Sequence, residues 1–551
     1  MGAYGRAPSA GMLRRIGGGI AGAAVLIGLI TVLARVTGFA KQFAFARVVG
    51  TNCLATAYYT ANQVPNIVFE VVVGGALAGM VVPVLAAARS KPDARAEVGR
   101  ISSALLTWVL VLLVPLAVVV ALVAGPVMGL LVRDVSRCDP QAVVAVATRM
   151  LVAFAPQIPL YGLAVVLYGV LQAHRRFTGP ALAPLVSSVV VIVAYLSFGP
   201  LSGGVRDPAS VPGPAELALS VGTTLGVLAL VVTVLRPVSR LGVAWRPTLR
   251  FPDGVAVQVR RLALAGLSAL VAQQAAMAIV IPLANDGVGG GALAAYNYAW
   301  AVYQVPYAVL AVPIATSAFP ALAARAGDAG AFAALSAQTT RAVVVVSGLA
   351  AGALAAVAGP VAQVFLGQAD TQIPPEQLAS AIALFAPGLI GYGLMAHLSK
   401  VLYASGLGRP AARGLVIGWL VVIGAQVAFA LVFPAGWKLG GLALGQAVGM
   451  TTGGALLLVS VLRARGARAL QGVPRAMLAA VAGGVCGFLA GFGVVAALGG
   501  SGPWAGAAVT VVAGAAAVCA GALVVAAVDR RDLAAVVSRV RRGAVAGKDA
   551  S

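Results

Sequence analysis

Three cations stand in one apolar stretch. Arg35, Lys41 and Arg47 lie in "RVTGFAKQFAFARVVG", residues 35–50, with no acid among them. A cation at the centre of a bilayer costs at least about 2.5–3.5 kcal/mol, so one that persists there is a candidate for pairing or for function. If the helix begins near residue 17, Arg35 lies about 27 Å along it at ~1.5 Å per residue. That is too deep for its head to reach water easily. Arg47, near the far end, can snorkel. Steps of six residues turn a helix by about 600°, so the three do not share one face of a straight helix. Gly38 is a place for a bend. Glu70, in the next apolar run, is the obvious partner and is itself costly unless paired. Two readings stay open: Arg35 and Lys41 line a cavity, or they form structural ion pairs.

Polar and aromatic residues around two "QVP" motifs could line the same cavity. They are Tyr58, Tyr59, Asn62, Gln63, Asn66, Asn297, Tyr303 and Gln304. Interhelical hydrogen bonding is the alternative for each. Arg149 is placed to snorkel to the surface, and neither His174 nor His397 looks like a proton relay. The four cysteines offer no metal site. Cys486 and Cys519 fall in apolar runs, whereas Cys53 and Cys138 fall in short connections where oxidation, and hence a disulfide, is possible. No phosphate loop, no helix with paired histidines and no long acidic outer loop is present. The chain reads as a non-enzyme that needs no cofactor.

The elements that must position these residues are membrane helices. The chain has 551 residues, 61% hydrophobic and only 10% charged, against about 25% charged for a soluble domain. About fourteen apolar runs are long enough to span a ~30 Å core. The first two are read as 17–46 and 54–87, and the ninth as 342–366. No cleavable signal peptide is apparent. The net charge of +23 is unevenly spread. Alternate connections such as "ARSKPDARAEVGR" and "RPVSRLGVAWRPTLRF" hold most of the Lys and Arg, while "GTNCLAT", "NDGVGGG" and "GQADTQIPPEQ" hold few. By the positive-inside rule this puts both termini in the cytoplasm and requires an even helix count. The basicity thus marks topology and attraction to anionic membrane lipid, not nucleic acid.

The chain also repeats itself. "FAPQIPLYGL" at 154–163 recurs as "FAPGLIGYGL" at 385–394, and "QVP" at 63–65 recurs at 304–306. The fold class is therefore an all-α polytopic membrane protein with two homologous six-helix lobes plus two C-terminal helices. Its parts are a cytoplasmic N-terminus (1–16), an N-lobe (17–235), a basic linker (236–261), a C-lobe (262–461), two further helices (462–528) and a basic cytoplasmic tail (529–551). An even-numbered repeat makes the copies parallel, related by an axis along the membrane normal. Transporters built this way bind substrate between the halves near the midplane. Pro65, Pro156, Pro306 and Pro387 lie inside helices, and matching kinks suggest bending helices that gate a cavity. Gly441, Gly445, Gly449 and Gly453 form a four-spaced close-packing ridge.

The stretches "RVTGFAKQFAFARVVG", "ATAYYTANQVPNIVFEVVVGGALAGMVVPVLAA" and "YNYAWAVYQVPYAVLAVPIATSAFPALA" resemble the first two helices and the eighth helix of the MurJ/MviN lipid II flippases, most closely the actinobacterial type. The resemblance extends over essentially the whole chain. It implies a bacterial plasma-membrane transporter of the multidrug/oligosaccharidyl-lipid/polysaccharide superfamily, whose substrate is lipid II, an undecaprenyl-pyrophosphate-linked disaccharide peptide. It implies that Arg35, Lys41 and Arg47 meet the pyrophosphate, that the last two helices form a groove for the lipid tail, and that wall-synthesis membrane proteins are possible partners. Arginine binds phosphate bidentately and lysine binds it as a point charge. The chain departs from the family at Thr56, Phe69, Glu70, Trp300, Ala301 and Gln304, where relatives carry other charged groups. No carboxylate stands in 262–284 or 411–433 to bind sodium. The alternatives are export of another lipid-linked saccharide or a drug, and a non-transporting scaffold.

Overall fold

The computed structural model describes residues 30, 32–71, 81, 84–85, 94–242, 245–251, 267–367, 369–499 and 503–528. Among the described residues the regular structure is helical, apart from one parallel bridge between Thr51 and Thr371. In hydrocarbon each backbone group must find its partner within the segment, which selects helices for such apolar runs. The helices are α1 (32–48), α2 (Cys53–Val68), α3 (Ala94–Leu122), α4 (Ala124–Leu131), α5 (Pro140–Phe154), α6 (Gln157–Ala173), α7 (Thr178–Ser202) and α8 (Gly213–Ser239). After the linker come α9 (Leu267–Asn285), α10 (Ala292–Pro306), α11 (Val312–Ala324), α12 (Ala329–Ala356), α13 (Ala358–Leu366), α14 (Pro375–Phe385), α15 (Gly388–Ala404), α16 (Gly408–Val432) and α17 (Lys438–Arg465). The last two are α18 (Val473–Leu498) and α19 (Pro503–Val528).

Among the described residues, eleven continuous helical stretches, including α5 with α6 and α10 with α11, are long and apolar enough to cross a membrane, or twelve if the bent pair α14–α15 counts as one span. They match the third to fourteenth expected runs, and the protein is a multi-pass membrane protein. The first two runs lie partly outside the described residues. Short polar caps start several helices at their aqueous ends. Asn52 accepts from Ala55 N, Asp139 from Gln141 N, and Asp328 from Ala331 N, each satisfying a first-turn donor.

The two copies pack alike. The contacts α7–α8, α3–α6, α6–α8 and α2–α5 in the first lobe recur as α16–α17, α12–α15, α15–α17 and α10–α14 in the second. Both conserve the prolines as breaks. The α5–α6 break falls at Ala155–Pro156, and the α14–α15 break at Ala386–Pro387 with a bend of 44°. Pro65 lies inside α2, and a π-helical turn follows at 69–71. Pro306 ends α10, and the π-helical turn Tyr307–Ala311 follows it. Proline lacks the N–H donor and clashes with the preceding turn, so the ladder loosens there. A π turn absorbs one extra residue, and such turns recur at functional sites.

Two expectations change. The ninth run begins at Ala329 rather than 342, because the polar "SAQTTR" stretch is helical and buries Ser336, Thr339 and Thr340. The first lobe's last helix runs to Ser239 rather than 235. Arg149 is exposed and also holds Glu216 of α8 through two nitrogens, with Nη2 to Oε2 at 2.6 Å. The glycine ridge of α17 lies on α16, where Gly445 and Gly449 approach the backbone of Gln426 and Val422. The pair α18–α19 packs on α12, with Gly348 and Gly352 against Ala480 and Gly484. The linker segment 245–251 lies along α3: Ser103 Oγ and Thr107 Oγ1 accept from Arg246 N and Thr248 N.

Candidate functional site: the space between the lobes

The lobes touch through α2 against α9 and α10, and through α4 against α9. Phe39 and Phe43 of α1 meet Phe365 of α13 edge-on at 5.4 and 5.7 Å. Among the described residues, the hydrogen bonds that cross between lobes gather at one end, the one with few Lys and Arg. There Thr51 N donates to Asp370 O at 3.1 Å, and Gln372 N donates to Thr51 O at 2.7 Å. Asn52 Nδ2 donates to Asp370 Oδ2 at 3.1 Å. Gly291 N donates to Thr56 Oγ1 at 2.7 Å, Tyr298 OH to Gly50 O at 3.2 Å, and Asn285 Nδ2 to Thr60 Oγ1 at 2.9 Å. Asp286 Oδ1 accepts from Arg133 N and Asp134 N. Gly50 has φ +94°, and a Cβ there would stand 2.0 Å from Asp370 O. Only glycine permits that backbone shape and that approach. The Cys53–Cys138 disulfide, with Cα atoms 5.7 Å apart, lies against this seal: Gln372 Nε2 reaches Cys53 Sγ at 3.3 Å.

Further along the helices, charged and aromatic side chains of the two lobes come near each other. Arg35 is exposed on α1, within charge–charge reach of Tyr307 of the second lobe. Glu70 is half-buried in the π turn after α2. It lies within the same kind of reach of Tyr161 and Tyr392, the tyrosines that the two "FAP" repeats place at matching positions. No ion pair joins Arg35 to Glu70 among the described residues, so the expected pairing is not formed. Lys41 is half-buried in α1. The Arg47 guanidinium lies 5.2 Å from the Phe43 ring centre, a cation–π distance. α1 runs unbroken through Gly38, and a Cβ there would meet nothing within 4 Å.

The polar residues around the "QVP" motifs divide. Tyr58 is 1% exposed, and its hydroxyl bonds Tyr195 at 2.6 Å and Thr223 at 2.9 Å, which ties α2 to α7 and α8 inside the first lobe. Tyr59 donates to Gln42 Oε1 at 2.6 Å. Asn62, Gln63, Asn66, Asn297 and Gln304 are half-buried. Asn297 Nδ2 donates to Leu293 O of its own helix. Asn62 Oδ1 is buried with no partner among the described residues. His397 is fully buried, with Nε2 3.1 Å from Thr339 Oγ1. No group of three or more His, Cys, Asp or Glu could hold a metal among the described residues.

Sequence reasoning used Tyr161 and Tyr392 to find the repeat but did not place them at the site. Their recurrence at matching positions of the two repeats was the available signal. The seal residues Asp370, Asn285 and Gln372 carried none, because each is an ordinary loop or helix-end residue until the lobes dock.

Residues 45–501 match the family model described as lipid II flippase MurJ. A lipid II flippase MurJ of Burkholderia cenocepacia is 30% identical over 172 residues, 31% of this chain and 32% of that protein. A probable lipid II flippase MurJ of Synechocystis sp. is 28% identical over 174 residues, 32% of this chain and 31% of that protein. These matches thus span about a third of the curated relatives' length. A solved lipid II flippase MurJ in an inward closed conformation superposes with TM-score 0.71 at 17% identity, covering 92% of this chain and 99% of that one. An inward-facing multidrug resistance MATE family transporter of the MOP superfamily gives 0.63 at 15% identity, covering 81% and 98%. At such identities these two likenesses speak for the fold.

Proposed function

Because the chain belongs to the lipid II flippase MurJ family, we propose that it turns lipid II from the inner to the outer leaflet of the bacterial plasma membrane by alternating access. It is a transporter and not an enzyme. The observation that carries this reading is the pairing of a sealed end with charged groups between two matched lobes. A seal on one side and a cavity behind it is what alternating access requires.

The distribution of Lys and Arg supports the orientation. By the positive-inside rule the sealed, sparsely charged end faces outward, and both termini lie in the cytoplasm. The protein then stands closed to the outside. Arg35 and Lys41 receive the pyrophosphate, with Arg47 at the outer end of the same helix. In a low-dielectric cavity such contacts are stronger than in water. Pro65, Pro156, Pro306 and Pro387 let the helices bend as the lobes rock. The tail stays in lipid along α18 and α19, where Leu478, Val485, Leu489 and Phe492 of α18 and Val511 and Leu523 of α19 are exposed. Membrane potential acting on the α1 cations drives the cycle. Membrane proteins of wall synthesis are the partners that would consume the product.

The test is replacement in a bacterium depleted of its essential lipid II flippase, with outer-leaflet lipid II labelled from outside. Wild type is expected to restore exposure, and Arg35→Ala to lower it at least tenfold with the protein still inserted. Full exposure with Arg35→Ala would remove the cavity role of that cation. No exposure with folded wild type would move the assignment to another lipid-linked saccharide, a drug, or a scaffold role.

A further inference from the structure

The second lobe holds a column of four aromatic rings. Trp300 stacks on Tyr303 with centroids 5.3 Å apart and planes 27° apart. Tyr303 faces Tyr392 at 6.0 Å and 20°. Tyr392 stacks on Tyr307 at 3.9 Å and 19°. Tyr303 is buried, which anchors the column in the lobe, while Trp300, Tyr307 and Tyr392 are half-buried. Tyr307 ends the column, and among the described residues no second ring covers its other face. It opens the π-helical turn that follows Pro306.

The first lobe brings two opposite charges to this column. Arg35 is within charge–charge reach of Tyr307, and Glu70 of Tyr392. A carboxylate and a guanidinium beside a stack that served packing alone would add desolvation cost. A ligand with an anionic group joined to an apolar-faced, hydroxyl-bearing ring would use every one of these groups. A sugar linked to phosphate has that shape. The C–H face of a pyranose is apolar and slightly positive, and suits the negative face of an aromatic ring. Its hydroxyls suit a carboxylate acceptor.

We propose that Tyr307 is the platform for the sugar ring next to the phosphate, with Tyr392 holding the platform and Glu70 accepting that sugar's hydroxyls. This rests on the lipid-linked saccharide reading above and deepens it: Arg35 meets the phosphate, and Tyr307 makes the site selective for a glycosylated one. Tyr392 acts as a positioning residue through its stack on Tyr307.

The experiment titrates the purified full chain with two probes: farnesyl pyrophosphate, and the same compound carrying one N-acetylhexosamine on its terminal phosphate. Wild type is expected to bind the glycosylated probe at least tenfold more tightly. Tyr307→Ala should bring the ratio near one, and Tyr307→Phe should keep the ratio. Tyr307→Leu, which keeps apolar bulk without a ring, should behave as the alanine variant does, and it serves if Tyr307→Ala fails to fold. Arg35→Ala should weaken both probes together. A preference that survives loss of the ring overturns the proposal, and so does equal binding of both probes by wild type. The flippase assignment is judged separately by leaflet exposure: restored exposure with equal binding would sink the platform alone.

Discussion

At the residue scale, several positions at which the family resemblance implied charge make neutral contacts instead. Thr56 accepts a backbone N–H from Gly291 of the other lobe, a neutral contact that needs no counter-ion. Gln304, Trp300 and Phe69 carry no charge, and Glu70 lies within charge–charge reach of Tyr161 and Tyr392. Phe69 rests on Tyr161 at 4.3 Å, much as Tyr307 rests on Tyr392 in the other copy. The Cys53–Cys138 pair makes a residue-scale prediction. Cys486 and Cys519 are free and exposed, so alkylation before reduction should modify two thiols, and alkylation after reduction should modify four. Four modified thiols without reductant would exclude the disulfide. The pairing was open in the sequence, because spacing sets no distance between Cys53 and Cys138 across 85 residues.

At the element scale, matched prolines make matched breaks. The reason is local and chemical, so the positions were readable from the repeat. What the break becomes is not local. One copy passes through Pro156 as a single span of 34 residues, while the other bends by 44° at Pro387. The neighbouring helices differ, since α18–α19 lean on α12 in the second lobe only. Pro387→Ala restores a donor and removes the ring clash. It should straighten α14–α15, leave the thermal midpoint unchanged or higher, and lower lipid II exposure several-fold. Undiminished exposure with a straightened helix would make the bend a packing feature only. The start of α12 was misread because "SAQTTR" looks like a connection by polarity. Its hydroxyls answer to the helix's own carbonyls, as Thr340 Oγ1 does to Ser336 O at 2.7 Å.

At the scale of the whole molecule, the seal holds the two lobes at one end. The bridge between Thr51 and Thr371 sets two backbones at strand spacing, about 4.8 Å, within the range a disulfide can span. In a background with Cys53→Ser and Cys138→Ser, the pair Thr51→Cys and Thr371→Cys should cross-link on oxidation. Oxidation should stop lipid II exposure, and reductant should restore it. Transport by the fully cross-linked protein would mean that the seal does not open during the cycle.

Sequence by itself determined that the chain crosses a membrane many times, roughly where the described helices lie, and that two halves repeat. Each of these depends on quantities local to the chain: the length of an apolar run, the sign of a connection, the spacing of a motif. Tertiary structure alone decided that Tyr58 turns into its own lobe, that Arg149 takes Glu216, and that Arg35 and Glu70 stand apart beside a stack of tyrosines. It also decided that Gly50, Thr51 and Asn52 close on Asp370 and Gln372. Those contacts join residues far apart in the chain, and they depend on how each helix is rotated and how two rigid lobes dock, which no local pattern encodes.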